Sequence, residues 1–232
     1  MKTKQKSNPK LIFLGIALLI IGIVLIAYPF WKEYLYRESI SKQKNNFVEK
    51  LAQTEETSIY DTLYNNLKIK NEELYLSNQQ NLTDPFAYET NSIDLSEYGI
   101  ENNIIGYISI PKINVELAIY LGANSQNLAS GAAHLTETSY PIGGINTNCV
   151  IAAHRGYDTM FRYVDKLENG DEITIQNFKE KLTYKVTGYK IIEVDEIQEL
   201  FIQDGKDMIT LITCHPYGIN NQRYLVFAER KI

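Results

Sequence analysis

The chain has 232 residues, 44% hydrophobic and 22% charged, which fits one sizeable folded domain with extras and excludes general disorder. The net charge is −5; leaving out residues 1–10, with four lysines and no acid, 19 basic residues face 28 acidic ones, or −9. So acidic a body argues against a nucleic-acid partner, which needs a basic face.

In chain order, residues 1–10 form a basic tail, followed by a 21-residue run, Leu11 to Trp31, without a charged side chain. As a helix this run spans about 31 Å, the thickness of a bilayer's hydrocarbon core. A cleaved signal peptide is the rival reading, but its apolar stretch is usually shorter and ends in small residues. Here the run ends Ala27-Tyr28-Pro29-Phe30-Trp31, with aromatics suited to the membrane interface. An uncleaved transmembrane anchor is therefore expected over residues 11–31. Lysines and Arg37 flank it on both sides, so charge alone does not orient it.

Residues 32–77 are polar and free of Pro and Gly, with apolar residues at near-helical spacing from Leu35 to Leu74. They predict one or two N-terminal helices, broken around Thr54 to Ser58, the alternative being a simple stalk. Residues 78–98 lack periodicity, contain Asp84-Pro85-Phe86, and predict an ordered loop. From residue 99 to 232, short β-prone runs alternate with turn signals. Strands are expected at Ile104–Ile110, Glu116–Tyr120, Cys149–Ala153, Glu172–Ile175, Lys181–Val194, Met208–Thr213 and Tyr224–Glu229. A short helix is expected over Tyr157 to Leu167, packing Met160, Phe161, Val164 and Leu167. Many short strands with few helices imply a closed or nearly closed β barrel.

Chemistry concentrates near the C-terminus. Cys214 ends the Met208–Thr213 strand, just before the turn residues Pro216 and Gly218. Arg223 opens the next strand, and a hairpin of that length brings the two together. A permanent cation beside a thiol favours the thiolate, and the same guanidinium can hold a developing oxyanion. The pattern points to a covalent cysteine enzyme. Its leaving amine needs a proton donor, usually histidine. His154 follows a strand and is preferred on position; His134, in a loop-like Gly131-Ala132-Ala133-His134 segment, stays open. His215 is poorly placed, because neighbours in an extended segment point to opposite faces. Cys149 lies in an apolar strand and reads as a buried residue, the alternative being a Cys149–Cys214 disulfide. The three histidines are scattered, so no metal site or cofactor is expected. A membrane-tethered, non-catalytic adhesin is the competing class, but it gives Cys214, His154 and Arg223 no reason to stand at strand ends.

These residues resemble a sortase. The resemblance rests on Thr210-Leu211-Ile212-Thr213-Cys214, on Arg223, and on Ala153-His154-Arg155-Gly156. More narrowly, Gly106-Tyr107-Ile108-Ser109-Ile110-Pro111-Lys112-Ile113, Thr138-Ser139-Tyr140-Pro141-Ile142-Gly143-Gly144, Leu167-Glu168-Asn169-Gly170-Asp171 and Cys214-His215-Pro216-Tyr217-Gly218-Ile219-Asn220 are similar to the class C, pilus-assembling sortases. The resemblance implies an eight-stranded sortase-type β barrel on the outer face of a Gram-positive cell membrane, with Met1 inside. It implies Cys214, His154 and Arg223 as the catalytic set, and Thr213 as a further substrate or oxyanion contact. It also implies a lid of Asp84, Pro85 and Phe86. The implied reaction cleaves an LPXTG-like sorting signal between Thr and Gly through a thioester. The acyl group passes to an amine, a pilin lysine or alternatively a peptidoglycan cross-bridge. Three departures stand out. Class C members commonly carry a second membrane helix at the C-terminus, and none is expected from Glu229-Arg230-Lys231-Ile232. Ala153 replaces the frequent glycine before the histidine, and His215 the frequent threonine after the cysteine.

Overall fold

The computed structural model describes residues 9–53, 57–82, 84, 93–156 and 159–231. The chain divides into two units, Met1–Ser39 and Ile40–Ile232. Helix α1 runs from Pro9 to Gln53. Its large apolar side chains from Ile12 to Leu35 are exposed, and with a mean hydropathy of 2.7 over an 18-residue stretch it is long and apolar enough to cross a membrane. The change at Lys32 is one of composition and not of backbone: no glycine or proline follows it in the helix, so the hydrogen-bond ladder continues through the polar residues to Gln53. Helix α2 spans Thr57–Leu76, so the expected break falls between the helices. Residues 54–56 of that break lie outside the described residues.

Within the second unit, Phe47 of α1 meets Tyr107 edge-on at 5.4 Å, and Lys44 pairs with Glu116 at 2.5 Å. From α2, Leu63 and Leu67 are fully buried. Asn71 accepts from the Tyr140 backbone N–H at 2.7 Å and donates to the Tyr140 carbonyl, so one amide satisfies both groups of a loop residue.

Eight strands follow: β1 (Ile104–Ile110), β2 (Val115–Leu121), β3 (Ala132–His134), β4 (Thr147–Ala152), β5 (Glu172–Asn177), β6 (Lys181–Glu193), β7 (Asp207–His215) and β8 (Gln222–Glu229). They close into a barrel in the order β1-β2-β3-β4-β7-β8-β6-β5. The seven expected strands are all present, with no end moved by more than two residues. The eighth, β3, was expected as loop. It is three small-to-medium residues paired parallel to β2, and no short-range pattern announces so short a strand. The six-residue helix α3 (Ser125–Ser130) makes the crossover between them, capped by the Asn124 side chain. All six residues of β4 are buried, the polar Thr147 and Asn148 as well as the apolar stretch from Cys149 to Ala152, between β3 and parallel β7. Strand β6 instead alternates exposed and buried residues along its first half, as a strand with one solvated face does.

The expected helix over Tyr157 to Leu167 is a 3-10 turn from Phe161 to Lys166, and Met160, Phe161, Val164 and Leu167 are buried as expected. Tyr157 lies outside the described residues. A Cβ on Gly106 would meet the Gln176 carbonyl oxygen at 2.5 Å, so only glycine lets β1 approach β5 there. At the barrel's other end the buried Asp207 carboxylate takes Arg230 at 2.5 Å, the Tyr184 hydroxyl at 3.1 Å and the Gly144 N–H at 2.9 Å. Several donors of this kind are what make a buried carboxylate tolerable.

Candidate active site

Strands β7 and β8 are antiparallel, and Cys214 and Arg223 stand directly opposite each other. Their hairpin turn thus joins the two groups without help from the rest of the fold. Cys214 lies inside β7, one residue short of its end, because the strand continues through His215. Histidine arrives from another direction. Strand β4 runs parallel to β7 up to the pair Ala152 and Ile212, and Ala153 extends the ladder by donating its N–H to the Ile212 carbonyl at 3.2 Å. His154 then leaves the sheet, its carbonyl held by the Phe161 N–H at 3.1 Å. His154, Arg155, Gly156, Cys214 and Asn220 line one open cleft of about 450 Å³.

The other histidines are elsewhere. His134 is fully buried in β3, stacked on Tyr140 at 4.9 Å, with Nε2 at 3.2 and 3.1 Å from the Thr138 and Ser139 carbonyls. Burial lowers its pKa to about 4, so it stays neutral. His215 alternates with Cys214 onto the opposite face of β7 and takes a hydrogen bond on Nδ1 from Arg155 at 2.7 Å.

Both cysteines are free thiols. Cys149 is buried on β4, where burial holds its proton firmly. Cys214 departs from the sequence expectation. The cation was expected to favour the thiolate, yet burial raises the Cys214 pKa, Arg223 only partly opposes it, and the Asp84 carboxylate raises it further. The cause is visible in the geometry. Asp84 grips Arg223 at two points, Nε to Oδ1 at 2.9 Å and Nη2 to Oδ2 at 2.6 Å, while Nη1 donates to the carbonyls of Asn220 and Gln222. The guanidinium's charge is shared before the thiol can use it. Burial also lowers the His154 pKa, so thiol and imidazole are both held toward their neutral forms.

Of the three residues expected as a lid, Asp84 is the one described, paired with Arg223; Pro85 and Phe86 lie outside the described residues. The stem of this segment is better anchored than its lack of periodicity suggests. Leu82 is buried in a core cluster with Val150, Ile212 and Leu225. Gln79, 2% exposed, donates to the Glu137 carbonyl at 3.0 Å and accepts from the Ile202 N–H at 2.7 Å.

Thr213 precedes Cys214 in β7. Its side chain is fully buried and donates to the Ala153 carbonyl at 2.7 Å. It therefore joins the strand end before His154 to the one before Cys214. Asn220 and Arg155 on the cleft wall were not expected as site residues, although both fall within the sortase-like motifs. The pair His154-Arg155 in the quoted motif was the available signal.

A sortase domain model matches residues 108–231, more than half of the chain. The chain belongs to the sortase family. Among solved structures it is 32% identical to the pilus-related Sortase C of Group B Streptococcus, over 82% of this chain and 97% of that one, with a TM-score of 0.72. It is also 33% identical to Sortase D of Bacillus subtilis over 128 residues, which are 54% of this chain and 63% of the relative. Against Sortase A of Bacillus anthracis it is 29% identical over 220 residues, 93% of this chain and 91% of the relative. The sortase likeness thus covers the barrel and, in the longer matches, the helices before it.

Proposed function

We propose that this sortase is a membrane-anchored cysteine transpeptidase that cleaves an LPXTG-like sorting signal between Thr and Gly. It then joins the new carboxyl end to a lysine of another pilin. The observation that carries the reading is Cys214 facing Arg223 across β7 and β8 with His154 on the wall of the same cleft. Helix α1 is the anchor, and a substrate exposed on a Gram-positive cell surface requires the barrel on the outer side.

The chemistry follows from the neutral resting pair. Cys214 gives its proton to His154 as its sulfur bonds the Thr carbonyl carbon, and the carbonyl π pair moves onto oxygen. Arg223 stabilises that oxyanion once it exchanges Asp84 for substrate. The imidazolium then protonates the glycine nitrogen, the C–N bond breaks, and a Cys214 thioester remains. The incoming amine gives a proton to His154 as it attacks the thioester carbonyl, and the thiol is restored by that same proton. Asp84 on Arg223 makes the resting site a closed one, so the lid segment has to move before acylation.

The pilin acceptor is supported by that Asp84 contact, which matches the lid of class C sortases, and by the likeness to a pilus-related enzyme. A second reading within the family is attachment to a peptidoglycan cross-bridge amine. Incubation with an LPXTG peptide should give a thioester on Cys214 by mass analysis, absent in Cys214→Ala and retained in Cys149→Ser. Adding a lysine-bearing pilin peptide or a cross-bridge peptide then identifies the acceptor. Release of free acid alone, with either amine present, would make the enzyme a peptidase and overturn the proposal.

A further inference from the structure

The departure at His215 has a structural counterpart. Arg155 Nη1 donates to His215 Nδ1 at 2.7 Å, Arg155 Nη2 lies 3.3 Å from Asp165 Oδ1, and the guanidinium carbon sits 5.4 Å from the centre of the Tyr224 ring. Three partners from three elements hold one side chain, which is 8% exposed. Tyr224 in turn stacks on Tyr189 at 5.4 Å and lies 5.7 Å from the His215 ring.

The location matters more than the number of partners. His154 and Arg155 are consecutive on one strand end, and Cys214 and His215 are consecutive on the next. The ladder between these strands reaches only as far as Ala153 and Ile212, with Thr213 adding one side-chain bond. Beyond that point the Arg155–His215 bond links the two chains, and the reacting groups lie in this stretch. Alternation along β7 puts Cys214 on one face with Arg223 opposite, and His215 on the other face with Thr213 and Tyr224. A bond between Arg155 and His215 therefore fixes the residues adjoining His154 and Cys214 from the far side of the strand.

We propose that Arg155 and His215 are positioning residues: their hydrogen bond fastens the strand end bearing His154 to the strand end bearing Cys214. Positioning of this kind is worth a large rate factor, because displacing a reacting group by about 1 Å can cost about 100-fold. The inference rests on the catalytic roles proposed above for Cys214 and His154.

The clasp carries its own signature. To accept from a guanidinium, Nδ1 has to be unprotonated, so His215 holds its proton on Nε2. A second proton would go to Nδ1 and oppose the Arg155 donor. The groups facing His215 are Arg155 beyond β4, Asp165 on the 3-10 turn, Tyr224 on β8 and, behind that ring, Tyr189 on β6. Burial and Arg155 lower the His215 pKa while Asp165 opposes them, so the clasp holds at neutral pH and opens on acidification.

The test uses the full chain in detergent with two readouts, single-turnover acylation of Cys214 by an LPXTG peptide and alkylation of Cys214 by iodoacetamide across pH. His215→Ala should lower the acylation rate about tenfold or more with little change in KM. His215→Asn, whose Oδ1 replaces Nδ1 and does not titrate, should restore most of the rate and remove the acid limb due to His215. Arg155→Lys should fall with His215→Ala, since an ammonium cannot serve His215, Asp165 and the Tyr224 face together. In alkylation, the step that His154→Ala removes should also weaken in His215→Ala and persist in His215→Asn. Parent-like acylation and alkylation in His215→Ala would overturn the clasp. If the parent forms no thioester, the functional proposal fails, and alkylation alone then judges the clasp. A parent alkylation profile lacking any His154-dependent step also overturns it, because nothing would remain to be positioned.

Discussion

Replacing Asp84 by alanine tests whether the closed contact restrains the thiol. The Asp84 side chain is 22% exposed and that of Arg223 is 8%, so the pair is shielded but not sealed. Hydrogen bonds to charged groups contribute about 1.5–3 kcal/mol net. The lower end applies here, because Arg223 keeps the Asn220 and Gln222 carbonyls after the carboxylate is gone. A loss of about 1.5 kcal/mol from the closed state shifts a closed-to-open ratio about tenfold. Iodoacetamide should therefore alkylate Cys214 about tenfold faster in Asp84→Ala at fixed pH. The pH midpoint of alkylation should also move down, since a cause of the raised thiol pKa is removed and the guanidinium is released toward the sulfur. Gln79 and Leu82 remain in place, so the melting temperature should fall only slightly. Each modified protein would be digested and the label quantified on the Cys214 peptide, with Cys149 as internal control. A rate equal to the parent's, with an unmoved or higher midpoint, would refute the argument that Asp84 holds the site closed and the thiol protonated.

Two further outcomes are expected. Arg223→Lys should lower the acylation rate by about 10²–10³, as removal of one oxyanion donor does, because an ammonium cannot replace a fork now bonded to Asp84 on two nitrogens; a fully active lysine variant would show that charge alone suffices. His134 is neutral in the fold with its pKa lowered to about 4, whereas the unfolded chain's histidine binds a proton below about 6.5. Stability is thus present above that value and declines as pH falls toward 4, and His134→Gln, which keeps an amide donor toward the Thr138 and Ser139 carbonyls, should flatten that decline in denaturant titrations; parallel curves for parent and variant would refute the assignment.

Local periodicity made much of this protein readable from its residues. Alternating β-prone runs with turn signals marked seven of eight strands, because burial on one or both faces of a sheet leaves a trace within a few residues. The uncharged run from Leu11 to Trp31 marked the apolar helix, and the interval from Cys214 to Arg223 marked a hairpin that brings them opposite each other. What local pattern does not contain is pairing between distant segments. The three residues of β3 become a strand only when β2 and β4 flank them, and that same closure buries His134 and removes it from the chemistry. The face of β7 toward which Thr213 turns was set by its register against β4 and Tyr224. The protonation of Cys214 was likewise a tertiary outcome. The sequence supplied a cation nine residues away, but Asp84, 139 residues from Arg223, arrives through the fold to share that charge. The clasp of Arg155 on His215 spans 60 residues. Composition and spacing report what each segment prefers by itself, whereas partial charges, burial and hydrogen-bond partners depend on which segments closure of the barrel brings into contact.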